Sequence, residues 1–314
     1  MPAMIVVAGE ALIDLLVGPD GRVSATPGGG PLNTARTIGR LGGEVAFLGC
    51  LSTDRFGTRL RDALAADGVD LSLVDTTDEP TTLAVADLDA DGVATYRFHT
   101  EGTSAPRLTA AAARDALAAR PAALHLGTLG LVLEPMATAI AGALPPVSTD
   151  ALVMLDPNCR PAVIPDRAAY LDRLEWVIAR ADIVKASVDD LAYIAPVAAP
   201  VVAARSFLER GPSLVLVTDG ERPVIVVMPD RVLEIPVPAV SVVDVVGAGD
   251  AFGGGFLARW VELGLGRSAL ADPGLVANAV RLAVEVAAAT CRRAGADPPT
   301  RAELGWPPRP SASR

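Results

Sequence analysis

A chain of 314 residues, 51% of them hydrophobic, can bury one large α/β core with a small appendage and is not a disordered protein. Its formal charge of -10 and the lack of any basic run exclude a groove for nucleic acid or a surface for anionic membranes, and leave small molecules as the expected partners. Cys50, Cys159 and Cys291 show neither metal-ligand nor paired spacing, and no stretch reaches the ~20 apolar residues of a membrane span, so a cytoplasmic protein with reduced thiols is expected.

Met4 to Ala8 is a short β-branched strand, and the apolar segment Ala11 to Val17 that follows is interrupted by one acid, Asp14. Pro27-Gly28-Gly29-Gly30-Pro31-Leu32-Asn33 then leads into a helix through Ile38 and Leu41, with Pro31 at a first helical position. Phe56 to Ala66 carries Leu60 and Leu64 on one helical face. Thr81 to Leu88 and Val93 to Phe98 flank Asp89-Ala90-Asp91-Gly92, a hairpin signal. With the segments near Asp14 and Val23 they predict a small sheet apart from the main core.

From Leu108 onward helices and strands alternate: helix 109–119, strand Ala123–Leu126, helix 134–142, strand Leu152–Leu155, helix 167–180, strand Asp182–Lys185. That rhythm predicts a doubly wound, mostly parallel sheet with helices on both faces, and ligands beyond the C-terminal ends of the strands. Ser187 and Asp190 fit a variant capping box. A strand from Leu214 to Val217, two hairpin-like strands at Val224–Met228 and Val232–Ile235, and a long helix around Leu275 to Ala289 complete the pattern. The proline-rich tail from Asp297 is expected to be disordered unless Trp306 pins it.

The stretch with the clearest chemistry is Val240 to Phe256. A β-branched run ends in Gly247-Ala248-Gly249, and an amphipathic run starts at Asp250, which reads as strand, tight turn and helix. Unpaired amides and the positive end of the dipole make such a turn a site for an anion. A carboxylate beside an anion site fits a general base that takes a hydroxyl proton. The plain alternative is a first-turn acid favoured by the dipole. Lys185 is the only lysine and belongs to no Gly-Lys-Ser/Thr run, so a Walker A loop is excluded; His99 and His125 belong to no His-Arg-Asp loop.

Asp244-Val245-Val246-Gly247-Ala248-Gly249-Asp250 resembles the C-terminal signature of the ribokinase, or PfkB, family of sugar and nucleoside kinases, with Val245 where that family usually has Thr. The Gly-rich run before Asn33 resembles its N-terminal signature, and the likeness covers roughly residues 4 to 300. Asp156-Pro157-Asn158-Cys159-Arg160-Pro161 resembles a run of fructokinases and related hexose and ketodeoxygluconate kinases. The resemblance implies a ribokinase-like domain over 1–300 with lid segments near 11–26 and 81–105, and a tail over 301–314. It makes Asp250 the catalytic base and the amides of Gly247, Ala248 and Gly249 an anion hole. Asp14, Gly29, Asn33, Asn158 and Arg160 would meet the sugar. Lys185, Ser187, Thr218, Gly220 and Asn278 would meet ATP, Asp190 would hold magnesium through water, and Asp244 would neighbour a monovalent cation such as potassium.

These roles imply transfer of the γ-phosphoryl group of ATP to a neutral sugar, fructose first, because Glu101 stands where many relatives carry Arg and would repel an acidic substrate. Ketodeoxygluconate or another sugar or nucleoside is the alternative within the family. Outside it stand a dinucleotide-dependent oxidoreductase, from the loose Gly247-x-Gly249-x-x-x-Gly253 pattern, and a non-catalytic sugar-binding protein. The free edge of a lid sheet also makes a homodimer through the lid an expectation.

Overall fold

The apolar runs form strands where β-branched residues dominate and helices where alanine and leucine take over, in a computed structural model that describes residues 4–89, 94–118, 120–144 and 151–307. The first third of the chain holds β1 (Ile5–Ala8), β2 (Leu12–Val17), β3 (Val23–Gly28), α1 (Gly30–Arg40), β4 (Val45–Ser52), α2 (Arg55–Ala66), β5 (Val74–Thr77), β6 (Leu83–Leu88) and β7 (Ala94–His99). The middle third holds α3 (Ala110–Ala118), β8 (Ala123–Gly127), α4 (Met136–Ala143), β9 (Leu152–Asp156), α5 (Arg167–Ile178), β10 (Ile183–Ser187), α6 (Val188–Ile194) and α7 (Pro200–Leu208). Three strands, β11 (Leu214–Thr218), β12 (Val224–Val227) and β13 (Val232–Ile235), and two long helices, α8 (Ala248–Glu262) and α9 (Pro273–Thr290), follow.

Nine strands form one sheet in the order β13-β12-β11-β10-β9-β8-β1-β4-β5, parallel from β11 to β5 with β12 and β13 antiparallel at one edge. Alternate residues of the central strands feed two cores. Val6, Leu124, Val153 and Val184 pack with α3, α4, α5 and α7 on one face, and Val7, Met154 and Ile183 pack with α1, α2, α8 and α9 on the other. The order of strands reverses between β1 and β8, so a crevice opens there beyond the strand ends. The second sheet, β3-β2-β6-β7, is joined to the first through the short linkers at 9–11 and 29.

Two expectations need correction, and two elements carry no clear signal in the sequence. Val240 to Val246 is not a strand: the sheet ends at β13, and the amides of Val243 and Asp244 both donate to the Cys291 carbonyl, which leaves Val242, Val243 and Val245 exposed. The tail is pinned as far as Pro307, because Arg301 pairs with Glu262 and lies 5.8 Å from the Trp306 ring centroid. α7 and β5 went unread, the first because its helical period is blurred by consecutive valines and alanines. Residues 90–92 of the hairpin signal lie outside the described residues. Among the described residues no helix is long and apolar enough to cross a membrane.

Candidate active site

α8 begins at the crevice. Gly247 is its N-cap in the left-handed region at φ 78°, and a Cβ there would sit 2.6 Å from that of Ala296, so the turn excludes a side chain. The Ala248 amide closes on the Val245 carbonyl at 3.2 Å, which leaves the next first-turn amides, of Gly249 and Asp250, as the ones aimed at an anion. The Asp250 carboxylate is buried and accepts a hydrogen bond from Asn33 Nδ2 at 2.9 Å. Burial raises its pKa against the opposing pull of Asn33, Lys185 and Arg160. A carboxylate so held is a better proton acceptor than an ordinary aspartate, which is what a base toward an alcohol needs.

The even-numbered period of the strands decides what lies beneath. Lys185 lies between Val184 and Ala186, both packed in the opposite core, so its side chain turns toward α8. A Cβ on Gly249 would sit 2.8 Å from Lys185 Nζ, which places the ammonium directly against the glycine turn. Lys185 donates to Asp156 Oδ2 at 2.9 Å, with both side chains buried. Burial alone would lower the lysine pKa, but the carboxylates of Asp156, Asp190 and Asp250 outweigh it and the group stays charged. His125 projects to the same face beneath Gly253; burial and Lys185 pull its pKa down to about 3, so it is a neutral packing residue.

The sugar-side residues converge from both sheets. Asp14 pairs across β2 with Ala84, and Ala84 pairs with Phe98, so these three share the face of the small sheet that carries Asp14. A Cβ on Gly28 would sit 1.9 Å from Asp14 Oδ2, and one on Gly30 would sit 2.6 Å from Thr128 Cγ2, 3.2 Å from Asp250 Oδ1 and 3.4 Å from Asn158 Nδ2. The two glycines therefore let Asp14, Asn158 and Asp250 crowd one spot. Arg160 is exposed, and its charge opposes the upward shift of both Asp14 and Asp250. Burial first, and Asp250 second, push Asp14 up to about 6. A cleft of about 600 Å³ lined by Tyr96, Arg97, Phe98, Glu101, Val132 and Val163 lies apart from this spot, since none of Asp14, Asn33, Asn158 or Asp250 lines it.

Glu10 is the residue the sequence reading passed over. It is buried, and its carboxylate accepts from Gly30 N at 3.2 Å, Thr128 Oγ1 at 2.6 Å and Gly130 N at 3.0 Å. Burial pushes it up to about 7 despite the Thr128 and Gly130 donors. An isolated acid after a four-residue strand gives no periodic signal, and only its partners, 20 to 120 positions away, reveal it.

On the nucleotide side the register brings Ser187 next to Thr218, at the ends of β10 and β11, about 5 to 10 Å from Asp156 along the row of strand ends. Gly220 follows in an exposed left-handed turn at φ 53°. Asp190 forms the capping box with Ser187, and its other oxygen accepts from Cys159 N at 2.6 Å, so the carboxylate also ties the strand ends together. Asp244 likewise joins the signature loop to a second turn by accepting from Val246 N and Gly295 N. Asn278, the residue expected to meet adenine, lies on α9 beside the later part of α8. α8 and α9 run antiparallel, and Asn278 accepts from Arg259, eleven residues and about 16 Å along α8 from Ala248.

Comparison with known proteins gives the same picture. The family model described as pfkB family carbohydrate kinase matches residues 2–303. A fructokinase from Rhizobium leguminosarum bv. trifolii is 36% identical over 260 residues, which is 81% of this chain and 79% of that protein. The crystal structure of a fructokinase with bound ATP from Xylella fastidiosa superposes with a TM-score of 0.90 at 29% identity, covering 97% of each chain. A fructokinase double mutant from Vibrio cholerae O395, with fructose, ADP and potassium ion bound, superposes with a TM-score of 0.85 at 25% identity, covering 96% of this chain and 97% of that one.

Proposed function

The chain belongs to the pfkB family of carbohydrate kinases, and from that membership we propose that it transfers the γ-phosphoryl group of ATP to a hydroxyl of fructose, with Asp250 as the general base. Membership removes the dinucleotide-dependent oxidoreductase from consideration. The observation that carries the proposal is the grouping at the start of α8, where a buried carboxylate, two free first-turn amides and the Lys185 ammonium surround one small space.

Asp14, Asn33, Asn158 and Arg160 orient the sugar over Asp250. The hydroxyl oxygen attacks the γ-phosphorus, its proton passes to the Asp250 carboxylate, and the bond to the bridging oxygen breaks with its electron pair leaving on ADP. The Gly249 and Asp250 amides stabilise the equatorial oxygens as charge builds, and Lys185 adds a point charge from beneath the turn. A neutral acceptor is favoured by the fructokinase relatives, since fructose carries no charge.

Among the described residues no three acidic, histidine or cysteine side chains are grouped to hold a metal. Magnesium would be held by the nucleotide phosphates and reach the protein through water at Asp190, where it would neutralise phosphate charge. Potassium at Asp244 would stiffen the junction between the signature loop and the Gly295 turn.

The test is ADP formation by the purified protein with magnesium, with and without potassium, across fructose, tagatose, ribose, ketodeoxygluconate and adenosine. Turnover highest on fructose and lost in Asp250→Asn supports the proposal. Turnover confined to another acceptor, or an Asp250→Asn variant as active as the wild type, refutes the fructose assignment or the base assignment respectively.

A further inference from the structure

Glu10 stands where the chain leaves the large sheet for the small one, between the end of β1 at Ala8 and the start of β2 at Leu12. Gly29 and Gly30 stand where the chain comes back, between β3 and α1, and the two crossings touch: a Cβ on Gly29 would lie 2.8 Å from the Glu10 carbonyl oxygen. The third partner segment, Thr128 to Gly130, follows β8, the neighbour of β1 at the reversal point of the sheet. One carboxylate thus ties the exit and return of the chain's first excursion into the small sheet to the core, while the second excursion, through β6 and β7, is not among its partners.

Thr128 adds an independent sign of constraint. It is a β-branched residue in the left-handed region at φ 51°, which costs energy and persists only where surrounding contacts enforce it. The enforcing contact is its hydroxyl, which shares its one hydrogen with the Glu10 carboxylate and lies 2.6 and 2.7 Å from its two oxygens. Its methyl group lies in turn against Gly30, beside Asp250 and Asn158.

We infer that Glu10 is a positioning residue for sugar binding: with Thr128 it pins the hinge of the small sheet and holds the Gly28 to Asn33 segment against Asp250. The path runs from the Glu10 carboxylate to the Gly30 amide, through the first turn of α1 to Asn33, and from Asn33 Nδ2 to Asp250. Lys185, Ser187 and Thr218 are not on that path, so the nucleotide side is spared.

The inference rests on the kinase reading, and two measurements keep the two separable. In steady-state kinetics on whichever sugar the wild type turns over best, Glu10→Gln and Thr128→Val raise the KM for sugar about tenfold, leave the KM for ATP within about twofold, and Thr128→Ser restores the wild-type value. A purely structural role would lower the active fraction and leave both KM values alone, and that result overturns the inference. Amide hydrogen exchange needs no turnover: Glu10→Gln accelerates exchange at residues 28–34 and 128–130 and leaves β9 to β11 unchanged. Unchanged exchange at 28–34 overturns the inference even if no sugar is phosphorylated, whereas a wild type inactive on every sugar counts against the kinase reading alone.

Discussion

Replacing Lys185 by methionine separates what its charge does for the fold from what it does for catalysis. The ammonium and the Asp156 carboxylate are 2.9 Å apart with side-chain exposures of 5% and 1%. Lys185→Met leaves an unpaired buried carboxylate, at a cost of about 3–5 kcal/mol, or roughly 6–10 °C in melting temperature for a chain this size. It also removes the point charge next to Gly249, for a loss on the order of 10²–10³ in kcat by analogy with deleted oxyanion donors. In the double variant Lys185→Met/Asp156→Asn neither charge remains, so most of the stability returns. If the ammonium serves the phosphoryl group, kcat does not return with it. The assays are thermal melting of the wild type and both variants, and ADP release at saturating ATP and sugar. A double variant that regains both the melting temperature and the turnover would show that the ion pair is structural only, and would refute the catalytic role.

The other expectations concern single positions. Gly28→Ala builds a methyl group 1.9 Å from Asp14 Oδ2, so the carboxylate must move, and kcat/KM for sugar falls on the order of tenfold to a hundredfold with little change in the KM for ATP. Because Asp14 protonates at about 6 in the folded protein, the KM for sugar rises as pH falls through that value, and Asp14→Asn, measured over pH 5 to 8, lacks this dependence. Asn278→Ala leaves the KM for ATP within about twofold, since its side chain pairs with Arg259 at the far end of α8; a large rise in isothermal titration or kinetics would contradict that placement. Glu10 has a folded pKa of about 7 against an ordinary 4.5, so the folded chain holds the proton more tightly than the unfolded one. The resulting stabilisation is complete below pH 4.5 and is lost as pH rises through 7, about 3 kcal/mol in all. Denaturant melts of Glu10→Gln should lack this slope, and an identical pH dependence in both proteins would rule it out.

The sequence by itself determined the sheet, the helices that flank it and the turn where the chemistry sits. Near-continuous apolar strands such as Leu214–Thr218 and helical stretches between them leave little choice but a parallel core buried on both faces. Gly247 before Asp250 marked a helix start that excludes side chains, and Lys185 stood out as the one lysine. Each of these signals is local, carried by residues within a few positions of one another. The tertiary structure decided what no local pattern holds. The valine run before Gly247 reads as a strand from its own residues, yet the amides of Val243 and Asp244 bond to Cys291 because the sheet has already closed at β13. The distance of Asn278 from the start of α8 is set by the antiparallel packing of α8 and α9, and one helix alone does not fix it. Asp190 reads as a capping acid from its own segment, and only the fold shows that Cys159, 31 residues away, donates to it as well. Glu10 shows the same limit most sharply: it is one acid in an apolar stretch until Gly30, Thr128 and Gly130 fold around it, and hydrogen bonds between distant segments leave no period or motif in the sequence from which to read them.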